Sequence, residues 1–390
     1  DVLRKSHPTP VGLDGNVRAL LRWAVGGELG ERNVTRRGKD APEWQAACGD
    51  LPAYVEAFER LQKATPASDA VALISEHGFT HEMVPSQLKN ERSVWEALLP
   101  RMPLGALVRN LGKLTSLGIT EQRSEWAHTV CKRLTDIGAI RRARLHPIAF
   151  LSAQMVYRQG HGVKGSLKWN AAPEIAAALE SGFYLAFGNV KPTGKRLCLC
   201  LDVSGSMQSG VIAGVPGLTP AMATAAMALV TMRTEPAALC MGFSHRFEQL
   251  GITAEMSLEQ AMKTTSGLNF GATDCSLPFR WALRAGVKGP LAIDGFAVFT
   301  DSETNQSTGH PYRALDEYRQ ATGIPAVLAV AAFTSNGFTI ANPDDPGMLD
   351  VVGFDTSAPA VMSDFFRGKR VAPEGNPEAQ NDDAGSDEAA

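Results

Sequence analysis

The sequence has no run of about eighteen apolar residues, the length a helix needs to cross a bilayer, and no charged-then-apolar leader before a small-residue cleavage site. Neither a membrane span nor a signal peptide is expected, and the chain reads as cytoplasmic. Its six cysteines, Cys48, Cys131, Cys198, Cys200, Cys240 and Cys275, form no C-x-x-C pair. Most lie in apolar stretches where a reduced thiol packs as a small hydrophobe, which argues against a disulfide framework. The G-x-S-x-G, H-E-x-x-H and Walker A patterns are missing too, and with them the motif-based case for a hydrolase or a nucleotide-driven enzyme. His77 and His81 flank Gly78-Phe79-Thr80, a break that prevents two imidazoles from sharing one helix face. An enzyme is therefore not expected, although a metal with an open position is able to activate water.

What is present suits a globular protein of two or three domains: 390 residues, 44% of them hydrophobic and 20% charged. The net charge of -3 conceals an asymmetry. Residues 1–196 carry 27 Lys+Arg against 19 Asp+Glu, an excess of +8, whereas the remainder carries -11. Six of those later acids fall after residue 370, in a Pro-, Gly-, Asn- and acid-rich stretch with nothing to bury. The expectation is a disordered acidic tail over 371–390. A surface acts on its partners through local charge, so the two halves are expected to face different ones.

From about 10 to 190 the apolar residues recur at helical spacing, as in Tyr54-Val55-Phe58-Leu61 and Leu104-Leu107-Val108-Leu111. Pro and Gly cut this stretch into helices of roughly ten to fifteen residues, and almost nothing alternates as a strand would. Stacked helical pairs without a strict period point to a HEAT-like α-solenoid. The pattern changes near 195. Arg196-Leu-Cys-Leu-Cys-Leu-Asp202 reads as a buried parallel strand, and the spacing predicts helix 219–233, strand 237–244, helices 257–265 and 277–285, strand 295–300, helix 311–322 and strand 326–333. The fold class is thus multidomain, α followed by α/β. A helical domain over 1–190 precedes a doubly wound, Rossmann-like domain over 195–370, with ligands expected beyond the carboxyl ends of its strands.

Three loops of that second domain offer oxygen. Asp202-Val-Ser204-Gly-Ser206 places a carboxylate and two hydroxyls on a tight turn, Gly271-Ala-Thr273-Asp274 adds a hydroxyl, and Asp301-Ser-Glu303 closes a separate strand with acids. An oxygen-only donor set suits a hard divalent cation. A plainer reading leaves Asp202 and Ser204 as helix caps and Asp301 as a solvated acid, and Asp274 and Glu303 read as capping or supporting residues. In the first half, basic residues cluster at Arg101, Arg109 and Lys113, at Lys132, Arg133, Arg141, Arg142 and Arg144, and at Arg158, Lys164 and Lys168. His146, Tyr157, His161 and Trp169 lie nearby in sequence as candidates for stacking on bases. Any one of these charges is equally a solvated helix face; the collective excess suggests phosphates and a salt-dependent affinity.

The three oxygen-bearing loops, in this order, resemble the metal-ion-dependent adhesion site (MIDAS) of von Willebrand factor A domains. That resemblance implies Mg²⁺ or another divalent cation held by the hydroxyls of Ser204, Ser206 and Thr273, with Asp202 and Asp301 acting largely through water and one position left for a partner's oxygen. Leu3-Arg-Lys-Ser-His7-Pro, Met102-Pro-Leu-Gly-Ala-Leu-Val-Arg109-Asn110-Leu-Gly112-Lys113, Arg144-Leu-His146-Pro147, Gly160-His161-Gly162, Leu167-Lys168-Trp169 and Pro192-Thr-Gly-Lys195-Arg196 are similar to the TROVE domain of Ro proteins. Gly271 to Pro278, Thr334 to Ile340 and Gly347 to Asp355 continue the likeness.

The resemblance implies a non-catalytic RNA-binding protein of RNA quality control, in which a ring of helical repeats closed by the adhesion-type domain holds Y-like small non-coding RNA and single-stranded 3′ ends of misfolded RNA. Its candidate RNA contacts are Arg4, Lys5, His7, Arg109, Lys113, Arg141, Arg142, Arg144, His161, Lys164 and Lys168. An exoribonuclease such as polynucleotide phosphorylase, tethered through Y RNA, is the implied protein partner. Family members carry further helical repeats ahead of the L-x-x-S-H motif, so the helical part is expected to be the C-terminal portion of a ring. The alternative is a metal-dependent protein-interaction scaffold that binds no RNA.

Overall fold

A computed structural model of the chain describes residues 51–163, 166–210, 212, 215, 217–266, 273–285, 292–301, 310–333, 339–353 and 357–368. The described residues fall into two compact units, one of those up to Leu107 together with Leu117–Ile119, the other of Val108–Ser116 and those from Thr120 onward.

In the first unit, α1 (Leu51–Lys63), α2 (Ala67–His77), α3 (Arg92–Leu98) and the start of α4 (Leu104–Ser116) bury their apolar stripes, with Leu61, Leu73, Val94, Trp95 and Leu107 enclosed. Helix α2 stops where the pattern requires. Gly78 takes the left-handed conformation (φ 68°) and donates its N–H to the Ile74 carbonyl, so His77 and His81 do not share a helix face. The Trp95 indole N–H donates to the Lys89 carbonyl at 2.8 Å, which settles the one polar atom that its burial would otherwise strand.

The second unit continues with α5 (Glu125–Leu134), α6 (Ile137–Ala143), α7 (Pro147–Gln159) and α8 (Pro173–Leu185). Their starts follow from local chemistry. Ser124 and Asp136 accept the Ala127 and Ala139 N–H groups as N-caps, while Pro147 and Pro173 fill first-turn positions that need no donor. Helices α7 and α8 pack closely because Gly182 has no side chain; a Cβ there would lie 2.5 Å from the Phe150 ring.

The helices run directly into the α/β domain. Thr193 donates its N–H and hydroxyl to Glu235 at 2.7 and 2.9 Å, and the Arg233 guanidinium lies over the rings of both Tyr184 and Phe187, at 5.2 and 5.1 Å from their centres. Within that domain, β1 (Leu197–Asp202), α9 (Ser206–Ser209), α10 (Pro220–Thr234), β2 (Ala238–Phe243), β3 (Phe247–Gln249), α11 (Leu258–Ser266), α12 (Leu277–Arg284), β4 (Gly295–Thr300), α13 (Pro311–Thr322), β5 (Val327–Ala332), β6 (Met348–Val352) and α14 (Ala358–Phe366) follow in chain order. The sheet order is β3-β2-β1-β4-β5-β6, parallel except for the antiparallel β3.

Strand alternation gives β1 two different neighbourhoods. Cys198 and Cys200 join Phe296, Val298, Phe279 and Tyr318 in one core, while Leu197, Leu199, Ala297 and Phe299 line a small cavity with Met227 of α10 and Met362 of α14. Both faces of the sheet are covered, as a doubly wound fold requires. The thiols of Cys131, Cys198, Cys200, Cys240 and Cys275 are free, and all but Cys131 are buried. No described helix is long and apolar enough to cross a membrane.

Candidate metal centre and nucleic-acid interface

The chain leaves β1 toward β2 on one side, while β4 pairs on the other, so the strand order reverses between β1 and β4. At such a reversal the loops beyond the strand ends diverge and open a crevice. Asp202 is the last residue of β1 and pairs in register with Phe243, the last of β2. Thr300 ends β4, and its hydroxyl donates across the crevice to Asp202 Oδ2 at 2.7 Å. The Ser204 N–H donates to Asp202 Oδ1 at 2.9 Å, and the Ser204 and Ser206 hydroxyl oxygens lie 3.1 Å apart. Asp202, Ser204, Thr273 and Asp301 are all buried, and Ser206 is half-buried.

The Asp274 N–H donates to the carbonyl of Ser244, just past β2, at 2.8 Å, which ties the segment bearing the buried Thr273 to the end of β2. Asp274 supports the turn that leads into α12. Its Oδ1 accepts both the N–H and the hydroxyl of Ser276, at 2.9 and 2.6 Å, at the start of α12.

Burial dominates the electrostatics. It raises the Asp202 carboxyl from an ordinary 3.8 to about 6, and the neighbouring Asp301 charge pushes the same way, against the lowering effect of hydrogen bonds from Ser204 and Thr300. Among the described residues no cationic side chain acts on Asp202 to offset this. An enclosed Asp202 carboxyl, bonded by Ser204 and Thr300, close to the charge of the buried Asp301 and without a counter-charge of its own, fits a hard divalent cation. Among the described residues no three His, Cys, Asp or Glu side chains gather as a metal cluster, so the fit rests on two acids supplemented by hydroxyls. Thr300 is the partner that sequence spacing does not reveal. Its signal was the register: a threonine ending the strand next to β1, opposite Asp202.

The basic candidates divide differently. Arg109, Arg141, Arg142, Arg144, His161 and Lys168 are exposed, and Lys113 is half-buried. Arg141 and Arg142 sit in the last turn of α6, where cations also favour the negative end of the helix dipole. Arg144 follows in the left-handed conformation (φ 50°), uncommon outside glycine. His161 and Lys168 face each other in an antiparallel bridge. Arg4, Lys5, His7 and Lys164 lie outside the described residues, as do Cys48, Glu303 and the 371–390 tail.

Two expected stacking residues are corrected. Tyr157 is 2% exposed, its hydroxyl 3.0 Å from that of Thr115 and accepting the Ala172 N–H, so no base reaches its ring. His146 caps α7, its Nδ1 accepting the Ile148 N–H at 3.2 Å, and burial lowers its pKa to about 4. It is a neutral structural cap.

Comparison with known proteins agrees with this architecture. The TROVE domain model matches residues 33–195 and the Ro60 vWA domain model matches 196–366. An RNA-binding protein RO60 of Deinococcus radiodurans is 42% identical over 370 residues, 95% of this chain and 66% of that protein. The chain belongs to the TROVE-domain Ro family. A further RNA-binding protein RO60, of Caenorhabditis elegans, is 40% identical over 95% of this chain and 61% of its own length. The crystal structure of the Deinococcus radiodurans RO (RSR) protein superposes with a TM-score of 0.80 at 42% identity, covering 95% of this chain and 70% of that one. This chain therefore spans about two thirds of the length of the Ro-family relatives it matches.

Proposed function

We propose that this protein binds RNA of the Ro type without cutting it, taking Y-like small non-coding RNA and the single-stranded 3′ ends of misfolded RNA as part of a quality-control ribonucleoprotein. One observation carries the reading: exposed cations at Arg141, Arg142, Arg144 and Lys168 on a chain 42% identical to a protein named as RNA-binding. Phosphate neutralisation by such side chains releases counterions, so affinity falls with salt. An exoribonuclease held on the same RNA is the partner this reading favours.

The adhesion-type crevice adds a second contact. Ser204, Ser206 and Thr273, with Asp202 and Asp301, would hold Mg²⁺ or a similar cation, which supplies Lewis acidity toward a carboxylate or phosphate oxygen of a partner. The enclosed, unneutralised Asp202 supports this reading.

The test is binding of a hairpin RNA with a single-stranded 3′ tail at two salt concentrations, with the RNA recovered afterwards to score cleavage. Salt-sensitive binding with intact RNA is expected. Replacing Arg141, Arg142 and Arg144 by Gln should flatten the slope of log affinity against log salt by about 2, at roughly 0.7 per single-strand phosphate contact. No binding at low salt would refute the RNA reading. Partner docking that a chelator abolishes and salt leaves unchanged would then favour the protein-scaffold alternative, which the Asp202 and Asp301 crevice suits.

A further inference from the structure

Between the C-terminal end of α4 and the segment after α7 lies a pocket of about 520 Å³, lined in part by Ser116, Glu121, Gln122, Lys168, Trp169 and Asn170. That volume falls within the roughly 300–1,000 Å³ of small-molecule sites. The site differs from the metal crevice and shares only Lys168 with the basic candidates.

Its floor is fixed. The Thr115 hydroxyl donates to the Leu111 carbonyl at 3.0 Å and lies 2.8 Å from that of Thr120 and 3.0 Å from that of Tyr157. Trp169 is held from three directions: its indole N–H donates to the Tyr157 carbonyl at 2.8 Å, its backbone N–H donates to Gly160, and its ring lies so close to Gly112 that a Cβ there would come within 2.7 Å. The floor's polar atoms are satisfied within the fold, and the indole is set in one plane before any ligand arrives.

The rim is the opposite. Glu121, Gln122, Lys168 and Asn170 are exposed, and among the described residues none of these side chains makes a hydrogen bond or ion pair. One acid, one base and two amides amount to no net charge beside a fixed aromatic. An apolar ligand would leave these groups unused, and a simple anion would meet Glu121. A flat neutral heterocycle carrying a phosphate uses all of them: the amides and carboxylate on the base edge, Lys168 on the phosphate. Exposed base edges are read in this way in single strands, where they are not hidden in a duplex.

The carboxylate also chooses among bases. Guanine presents two adjacent donors, N1–H and the N2 amino group, to a carboxylate, and an O6 acceptor to an amide N–H. Adenine and cytosine set a ring-nitrogen acceptor beside their amino donor, and uracil flanks its single N–H with two carbonyls; each turns an acceptor toward Glu121. We propose that this pocket holds one unpaired guanine nucleotide of a bound RNA strand. The proposal rests on the RNA-binding reading above and names the nucleotide that this face selects.

Side-chain amide signals of Gln122 and Asn170, assigned with Gln122→Ala and Asn170→Ala, would be followed in the ¹⁵N-labelled full chain during titration with GMP, AMP, CMP, UMP and inorganic phosphate. GMP is expected to shift them most and phosphate least. Hairpin RNA with a guanine tail should bind about tenfold more tightly than one with an adenine tail, and Glu121→Gln, at an exposed position, should erase that preference. Amides unmoved by every nucleotide, moved alike by all four or by phosphate alone, or a guanine preference that survives Glu121→Gln would each overturn the pocket. If any of these occurs while the hairpin still binds with salt sensitivity, the pocket fails and the RNA reading stands. GMP binding without RNA binding would overturn the strand as occupant.

Discussion

Asp202→Asn is expected to stabilise the ion-free protein while abolishing its response to divalent cations. Raising a carboxyl from 3.8 to about 6 corresponds to about 3 kcal/mol of folding free energy at pH 7, an upper bound for an enclosed group. The folded state holds its proton more tightly than the unfolded chain does. The stability that this group contributes is therefore fully present below pH 4 and is lost as pH rises through 6. Asparagine removes the charge and keeps an oxygen for the Ser204 N–H, but the Thr300 hydroxyl must turn from donor to acceptor, at a cost of about 1 kcal/mol.

A net gain of about 1–2 kcal/mol should remain at pH 7 in chelator, read as slower hydrogen exchange of the β1 and β4 amides, which report this domain alone. Mg²⁺ at a hundred times its dissociation constant adds about 2.7 kcal/mol to the wild type and nothing to the variant. A variant less protected than the wild type in chelator, or one that gains equally from Mg²⁺, would show that the crevice is a satisfied polar network and not a charge-starved cation site.

Three further outcomes follow from the helical part and its packing. His146 must stay neutral to cap α7, so stability should fall by about 1–3 kcal/mol as pH drops from 6.5 toward 4, and His146→Asn should flatten that fall in urea denaturation measured across the range. Arg144→Gly relieves a left-handed backbone at φ 50° and should add about 0.5–1 kcal/mol to stability while weakening RNA binding, a pair of opposite signs that loss of packing would not produce. Gly182→Ala gains helix propensity but forces a methyl to within 2.5 Å of Phe150, so a net loss of about 1–2 kcal/mol is expected by the same denaturation assay.

Much of the fold was legible because its signals are local. The β4 and α13 bounds match the periodicity to the residue, since Gly295–Thr300 is an unbroken apolar run and Pro311 opens a helix that Gly323 closes. The strand β3 was not legible: its three residues, Phe247–Gln249, carry no run or alternation and exist as a strand only because β2 offers a free edge. For β6 the burial alternates, but one polar residue at Asp350 leaves too short a pattern to separate from a loop. In the basic half, residue type misleads where burial decides. Tyr157 and Trp169 look alike as stacking candidates, yet one is sealed under a hydroxyl network and the other borders an open pocket.

The two sites illustrate opposite ways of preparing a surface for a ligand. At the crevice the fold gathers oxygen donors and leaves the charge on Asp202 without a cationic partner among the described residues, so a cation relieves a cost already present in the empty protein. Beside Trp169 the floor is fully satisfied and the rim is solvated, so the empty pocket costs little and a ligand gains mainly from groups already in place. The first arrangement makes binding and stability rise together, and occupancy there should be visible as protection of β1. The second gives selectivity from groups already in place, with little cost in the empty protein. Mg²⁺ and nucleotide are each expected to raise the unfolding transition by the amount that free ligand over its dissociation constant sets, so the two sites are told apart by where amide protection first appears, in β1 and β4 for the cation and around Trp169 for the nucleotide.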